Sequence, residues 1–336
     1  MAEGAIRLEG RQQELLGARI GGGRYQIIQI HGTGGFGETY IAEDLHRPDR
    51  PKCVVKKLSP SSREPKHLKL ARRLFQREAE TLEKLGNQHD QIPQLLAYFE
   101  EETEFYLVQE FIAGHPLSNE LPLGHQLPET KVLAILREIL QVLGFVHSQH
   151  VIHRDIKPSN LIRRAHDTHL VLIDFGAVKG LQTAGDDEFV SDLTIGIGTQ
   201  GYMAPEQQAG HPQFNSDIYA VGMMAVQMLT GIAPSQLPRD ADTGEIDWQD
   251  KTHASVGLVN VVQKMMAYHY KQRYQSTDEA LQALKKLSLH TTLPSMLSDL
   301  LQDAMPGQEE VQATQPWPTA FEEGDDLPPT QPPPTQ

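Results

Sequence analysis

The spacing of hydrophobic and polar positions changes about a third of the way along the chain. From Tyr25 to Phe111, short apolar runs are separated by Gly, Pro and charged residues, which is typical of strands joined by turns. One charged stretch with a helical period interrupts them, and beyond Gly114 the helical period dominates. The pattern predicts an α+β fold in two lobes: a small antiparallel sheet plus one helix, followed by a mainly helical lobe.

The first lobe is predicted over residues 25–112. Three antiparallel strands are expected before its helix and two after it, because each run is bounded by turn residues. The expected strands are 25–30, 39–42, 53–58, 95–99 and 105–111, and the expected helix is about 66–85.

The second lobe is predicted over residues 113–289. Its first helix shows apolar residues that recur on one face, at Val132, Leu136, Ile139, Leu143 and Val146. Further helices are expected over 217–229, over 255–266, and after the capping box 276–279.

Composition predicts that both ends of the chain lie outside this fold. Residues 1–24 are expected to be a flexible leader, because they are polar at first and close with Gly21, Gly22 and Gly23. Residues 290–336 are rich in Pro, Gln, Thr and acidic residues, and eight acidic side chains with no Lys or Arg lie between 291 and 336. Such a segment cannot offset its chain entropy by burying apolar area, so a disordered tail is expected.

Charge and cysteine usage limit the functional classes. The formal charge is −14, from 44 acidic and 30 basic residues, so nothing favours nucleic acid or an anionic membrane as a partner. The single Cys53 excludes an intramolecular disulfide and the usual Cys-based zinc sites, and it is expected to be a packed thiol. The longest apolar run, 219–233, is broken by Gln227 and is too short to span a bilayer, so a cytoplasmic location is expected.

A glycine-rich motif of the form G-x-G-x-x-G precedes the second strand. Such glycines let backbone amides approach phosphate oxygens. Residues 38–43 have the pattern of a strand, whereas a dinucleotide-binding fold needs a helix there, so the motif is expected at a hairpin tip over a nucleotide. An ordinary glycine-rich turn is the alternative. The motif consists of Gly32, Thr33, Gly34, Gly35, Phe36 and Gly37.

Two charged residues of the first lobe are candidates for nucleotide binding. Lys56, on the third strand, could hold the α- and β-phosphates if an acid fixes its side chain. Glu78 on the long helix is the preferred acid, with Glu80 and Glu83 as competitors. Plain surface charge is the alternative for a strand Lys or a helix Glu taken alone.

Residues 153–160 and 174–176 contain the groups that phosphoryl transfer needs. Asp155 follows a short apolar strand and is the candidate that accepts a hydroxyl proton, while Lys157 can neutralise charge on the moving group. Asn160 and Asp174 offer oxygen ligands to Mg²⁺. His153 is expected to be a packed core histidine without a catalytic role.

In their order along the chain, these motifs resemble the eukaryotic-like Ser/Thr protein kinases of bacteria, over Tyr25 to Leu289. The resemblance implies that ATP lies between the lobes, against a hinge and beside Gln109 at the gatekeeper position. Mg²⁺ is implied as the ion, with Mn²⁺ as a substitute. The nucleotide-binding set that it implies, beyond the glycines, Lys56 and Glu78, is Thr39, Val54, Gln109, Glu110, Phe111 and Ile112.

The resemblance also implies the acceptor. Lys157 and Thr199 resemble the Ser/Thr-specific branch, so proteins with Ser or Thr acceptors are the expected substrates. Arg154 implies a loop that is ordered by phosphorylation, with self-association for autophosphorylation. The alternative is a loop that is ordered without phosphate, because its own acidic residues already supply negative charge. Thr194 is the preferred phosphosite, and Ser191 and Thr183 are its rivals.

Two structural roles and three departures accompany the resemblance. Asp217 is expected to brace the segment around Asp155, and Arg273 is expected to pair with Glu206. Thr39, Val54 and Gln109 depart from the usual residues of the adenine pocket. The alternatives are a catalytically silent ATP-binding scaffold and a small-molecule kinase.

Overall fold

The N-terminal lobe is built on one curled antiparallel sheet. A computed structural model describes this lobe and most of the second lobe. The described residues are 15–34, 37–58, 65–101, 103–175, 179–180 and 201–287. All five predicted strands are present, with a sixth at the N-terminal edge. The strands are β1 (Arg19–Ile20), β2 (Tyr25–Gly34), β3 (Gly37–Asp44), β4 (Lys52–Leu58), β5 (Leu95–Glu101) and β6 (Glu104–Glu110). Their order in the sheet is β1-β2-β3-β4-β6-β5.

The leader expected over residues 1–24 is wrong for its last ten residues. Arg19 and Ile20 of β1 pair with β2, and Ile20 is buried. Gly21 and Gly22 adopt left-handed φ angles of 64° and 63°, and their N–H groups donate to the Glu101 carboxylate at 2.8 and 3.2 Å. The glycines therefore have a defined backbone because an acid 80 residues away binds it. Residues 1–14 lie outside the described residues.

The two faces of the sheet pack against different groups. The outer face carries a small aromatic cluster in which Tyr25 and Tyr106 each stack on Phe99. Cys53 belongs to this cluster and is fully buried, as predicted, and burial raises its thiol pKa to about 12. The inner face packs on helix α1 (Pro65–Gly86), which agrees with the predicted helix to within a residue.

The C-terminal lobe is mainly helical, so the predicted two-lobed α+β fold is confirmed. Every residue of Asn215–Thr230 except Gln227 is buried, which makes that helix the centre of the lobe. It ends at Gly231, whose φ of 70° closes the helix. The helices are α2 (Glu129–Ser148), α3 (Pro205–Gln208), α4 (Phe214–Thr230), α5 (Val256–Met265) and α6 (277–287).

Short strands lie between α2 and α3, and one more precedes α2. They form a three-stranded sheet, which includes the predicted strand before Asp174, and a two-stranded ribbon. The strands are β7 (Gly114–Pro116), β8 (Val151–Ile152), β9 (Leu161–Arg164), β10 (Leu170–Leu172) and β11 (Lys179–Gly180).

Candidate active site

The glycine motif lies at a hairpin tip, as predicted. β2 and β3 pair from Tyr25↔Asp44 to Gly34↔Gly37, so a strand rather than a helix follows the glycines. Gly35 and Phe36 lie outside the described residues. The strand that begins at Gly37 excludes the dinucleotide-binding arrangement, which needs a helix after the glycines.

The predicted nucleotide-binding residues of β3, β4 and β6 share one face of the sheet. Lys56 is paired with Thr39 on one side, and Val54 is paired with Gln109 on the other. Directly paired residues of neighbouring strands project to the same face, and so do residues two apart on one strand. Thr39, Val54 and Gln109 therefore lie on the face from which Lys56 reaches Asp174.

Gln109 and the hinge residues follow at the end of β6. Gln109 is 4% exposed, and its Oε1 has no hydrogen-bond partner among the described residues. Glu110 is held by a backbone bond from its N–H to the carbonyl of Gln94, 2.9 Å. Phe111 and Ile112 continue the chain without regular structure into the second lobe.

Lys56 contacts two carboxylates, one from each lobe. Its Nζ donates to Glu78 Oε1 on α1 and, at 2.9 Å, to Asp174 Oδ1 just beyond β10. Glu78 lies on the buried face of α1 and is 4% exposed, whereas Glu80 and Glu83 are exposed. The structure therefore selects Glu78 from the three candidate acids.

The charges in this cluster reinforce one another. Burial lowers the pKa of Lys56, but the attraction of Asp174 and Glu78 outweighs it, so the Lys56 pKa is raised and the ammonium is retained. Attraction by Lys56 lowers the pKa of Asp174 to about 2, against the opposing effect of burial. Asp174 is thus an anion at every pH at which the protein is expected to work.

Asp155 lies in a second polar cluster, on the segment after β8. Asn160 Nδ2 donates to its backbone oxygen at 2.8 Å and to its Oδ2 at 2.9 Å. Lys157 Nζ lies 2.7 Å from the same Oδ2. Because Asn160 holds the carboxylate through its amide nitrogen, the amide oxygen is directed away from Asp155.

The backbone before Asp155 is fixed by Asp217, at the start of α4. Its Oδ2 accepts the N–H of His153 at 2.9 Å, and its Oδ1 accepts the N–H of Arg154 at 2.8 Å. Oδ2 also lies 2.9 Å from His147 Nε2, with which it forms a second hydrogen bond. Burial raises the pKa of Asp217, but these bonds outweigh it and leave the pKa lowered. Asp217 therefore holds the backbone of the segment around Asp155, which is the bracing contact predicted for it.

His153 is fully buried and packs edge-on against Phe175 at 4.9 Å. Its Nε2 lies 3.2 Å from the carbonyl oxygen of Ile173, so it joins the two motif segments. Burial lowers its pKa, which favours the neutral ring. The geometry agrees with the prediction of a packed histidine.

Glu206 in α3 pairs with the fully buried Arg273. Two parallel bonds of 2.7 and 2.8 Å join the guanidinium to the carboxylate. Arg273 also donates to the carbonyls of Ala267 and Tyr268 and lies over the Tyr219 ring. This pair therefore anchors α3 to the body of the C-terminal lobe.

Some predicted residues lie outside the described residues, and some contacts were not anticipated. Thr199 and the candidate phosphosites Thr183, Ser191 and Thr194 fall within 181–200, which the structure does not describe.

Sequence reasoning missed Gln207, which reaches the carbonyl of Arg154. No sequence period signals this contact, because it joins two segments 53 residues apart.

Comparison with protein families identifies the family of this chain. The family model described as "Protein kinase domain" matches residues 25–292. The chain belongs to the protein kinase family. The kinase domain is 43% identical over 267 residues to serine/threonine-protein kinase B of Synechocystis sp., covering 78% of this chain and 46% of that protein. It is 44% identical over 264 residues to serine/threonine-protein kinase PknA of Nostoc sp., covering 78% and 47%.

Solved structures support the same fold. The kinase domain of PknI from Mycobacterium tuberculosis, crystallised as a double mutant, aligns with a TM-score of 0.61 at 22% identity, covering 81% of this chain and 98% of that one. The chain spans about half the length of the curated relatives that it matches. No helix in the described residues is long and apolar enough to cross a bilayer.

Proposed function

We propose that this chain is a Ser/Thr protein kinase that transfers the γ-phosphoryl group of ATP to protein hydroxyls. The observation that supports this most strongly is the contact of Lys56, on the sheet, with both Glu78 and Asp174. It brings a phosphate-binding cation and a metal-binding carboxylate together at one point between the lobes. The named relatives are Ser/Thr protein kinases by their printed descriptions.

The nucleotide is proposed to lie under the β2–β3 hairpin. The amides of residues 32–37 and Lys56 would bind its phosphates, and Glu78 would keep Lys56 in place. Thr39, Val54 and the stretch Gln109 to Ile112 would surround the base. The shared sheet face of Thr39, Val54, Lys56 and Gln109 supports this placement.

The residues around Asp174 and Asn160 fit a hard divalent cation. The Asp174 carboxylate is 43% exposed and ionised, and Asn160 offers an amide oxygen, both of them ligand types that Mg²⁺ prefers. Among the described residues no group of three or more His, Cys, Asp or Glu could hold a metal alone, so phosphates and water would complete the shell. Mg²⁺ would neutralise phosphate charge, and Mn²⁺ is its expected substitute.

Asp155 is proposed to align the acceptor and take its proton. The hydroxyl oxygen attacks the γ-phosphorus, the bond from phosphorus to the β–γ bridging oxygen breaks, and ADP leaves while the hydroxyl proton passes to Asp155. Lys157, 2.7 Å from Asp155, is placed to neutralise charge on the phosphoryl group. Positioning and charge neutralisation account for the rate.

The protein partners belong to the same proposal. Lys157 and Thr199 support Ser and Thr acceptors, and autophosphorylation at Thr194, Ser191 or Thr183 would need self-association of the chain. Neither nucleic acid nor membrane is proposed as a partner, and the site of action is proposed to be the cytoplasm. The residues whose loss would favour a binding-only scaffold, Lys56, Asp155 and Asn160, are all present.

Paired substitutions test the assigned chemistry. Asp155→Asn should lower kcat at least about a hundredfold, because an amide cannot accept the proton, and the exposed control Asp250→Asn should leave it unchanged. Lys56→Met should abolish labelling, whereas Lys57→Met, on the opposite face of β4, should not. Steady-state assays with Mg²⁺-ATP and a generic protein acceptor measure both. Equal rates for Asp155→Asn and the parent would show that the assigned base is wrong.

A thermal-shift measurement separates binding from turnover. ATP with Mg²⁺ is expected to raise the unfolding temperature of the parent and of Asp155→Asn alike, because Asp155 is not proposed to bind the nucleotide. Stabilisation without turnover in the parent would favour the scaffold alternative.

A further inference from the structure

Gln207 connects α3 to the segment that carries Asp155. It is 8% exposed, and its Nε2 donates a hydrogen bond of 2.6 Å to the backbone oxygen of Arg154. Neither the proposed phosphoryl transfer nor the Glu206–Arg273 pair uses this contact. Among the described residues, the Gln207 side chain makes this one hydrogen bond.

The receiving backbone is strained. Arg154 has φ of 69°, in the left-handed region that a non-glycine residue enters at a cost. Its N–H donates to Asp217 Oδ1 at 2.8 Å, and its carbonyl accepts from Gln207. The peptide groups on both sides of Arg154 are therefore fixed by side chains from different elements.

The bond from Gln207 acts on the peptide that leads into Asp155. Rotation of that peptide plane would reorient the backbone of Asp155 and so move its carboxylate. The other contacts of Asp155 come from His153, Lys157 and Asn160, all of which lie in the same segment as Asp155. Gln207 thus fixes the peptide before Asp155 from a different element, α3.

The donor itself lies on a rigid support. The preceding Glu206 is bound by Arg273 through two hydrogen bonds and accepts from Ser216 Oγ at 2.5 Å. Ala204, at the start of α3, is fully buried. A side chain held this way can fix the geometry of a neighbouring segment instead of following its motion.

We propose that Gln207 is a positioning residue for the candidate base Asp155, and that it does so by fixing the Arg154 carbonyl from α3. The inference rests on the proposed kinase function. Residues 201–208, which end in α3, are linked to the Asp155 segment by this bond. The inference therefore also predicts that a displacement of α3 moves the Asp155 segment with it.

Gln207→Glu is the sharpest test, because it keeps the size of the side chain and exchanges a donor for an acceptor. We expect kcat to fall about tenfold at pH 7.5 with KM for ATP within twofold, as loss of one positioning bond implies. Gln208→Glu, an exposed neighbour in the same helix, adds the same charge and should leave kcat unchanged.

Two further readouts separate positioning from folding. At lower pH the protonated Glu can donate again, so the kcat ratio of Gln207→Glu to the parent should recover, whereas Gln207→Met should show a constant loss. Amide hydrogen exchange of peptides covering 153–160 should be faster in Gln207→Glu and Gln207→Met than in Gln208→Glu.

The outcomes are distinguishable. A lower unfolding temperature with unchanged kcat per folded molecule, and unchanged exchange at 153–160, would overturn the positioning role. A parent that transfers no phosphate would refute the proposed function instead, and hydrogen exchange would then decide alone whether Gln207 fixes this segment.

Discussion

At the scale of single residues, burial and pairing decide which charges persist between the lobes. Lys56 stays charged because two carboxylates compensate for its burial, and Asp174 stays ionised because Lys56 lies 2.9 Å away. His153 has no such compensation: burial lowers its pKa and outweighs the attraction of the nearby carboxylates, so the ring is kept neutral. The charge state of each titratable group in the site thus depends on its surroundings as much as on its residue type.

The lowered pKa of His153 predicts a dependence of stability on pH. The unfolded chain binds a proton at this position near pH 6.5, and the folded chain does not until a lower pH. Between these values the unfolded state binds more protons, so stability is complete above about pH 6.5 and falls as pH falls. The contribution of His153 between pH 7 and 5.5 is at most about 1.3 kcal/mol.

Denaturant unfolding of His153→Gln checks this contribution. The variant should be less stable than the parent at pH 7, because packing is lost, but its stability should decline less between pH 7 and 5.5. His166→Asn, at a position that is 72% exposed, is the control and should keep the slope of the parent. A parental slope in His153→Gln would contradict a buried neutral ring.

Sequence could predict the reactive residues more fully than their partners. The order of Lys56, Asp155 and Asp174 along the chain was sufficient to nominate them, whereas the choice of Glu78 over Glu80 and Glu83 needed the buried face of α1. That face was available in principle, since Phe75 and Leu82 lie three residues before Glu78 and four after it and are also buried. The bond from Gln207 to Arg154 has no comparable signal.

At the scale of elements, local periodicity located the helices and strands, and tertiary contacts altered their edges. Strand β1 was missed because it is two residues long and is followed by three glycines, which individually favour a flexible chain. Its order comes from the Glu101 carboxylate, which lies on β5. Helix α5, in contrast, begins one residue after the predicted start at Ser255, which caps the helix because its Oγ accepts the N–H of Leu258.

The anchoring of α3 predicts a large loss of stability when its ion pair is broken. Arg273→Leu would leave the Glu206 carboxylate, 10% exposed, without its bidentate partner. We expect the free energy of unfolding to fall by about 3–5 kcal/mol, because an uncompensated buried charge remains. Urea unfolding at pH 7.5 measures the change.

Lys271→Leu is the matched control for this loss. It removes a cation two residues away at an exposed position, and its effect should lie within about 0.5 kcal/mol. If Arg273→Leu were no more destabilising than Lys271→Leu, the ion pair would not anchor α3.

At the scale of the whole molecule, the Lys56–Asp174 contact joins a lobe built on a sheet to a lobe built on helices. The two-lobed α+β organisation could be predicted because the strand pattern, interrupted by one helical stretch, gives way to a dominant helical period beyond Gly114. The assignment of residues 290–336 as a tail stays a prediction from composition. The boundary at Leu289 likewise stays a prediction, and the protein kinase family model matches residues 25–292.

The identity of the phosphate acceptor is the central claim, and one labelling experiment tests it most directly. The full chain is incubated with Mg²⁺, ATP labelled in the γ-phosphoryl group, an unstructured protein rich in Ser and Thr, and a mixture of sugars and aminoglycosides, and the products are assigned by mass spectrometry. We predict phosphate on Ser and Thr hydroxyls of protein, reduced at least about a hundredfold in Asp155→Asn. Phosphate found on the small molecules alone, or no transfer despite ATP binding, would contradict the account.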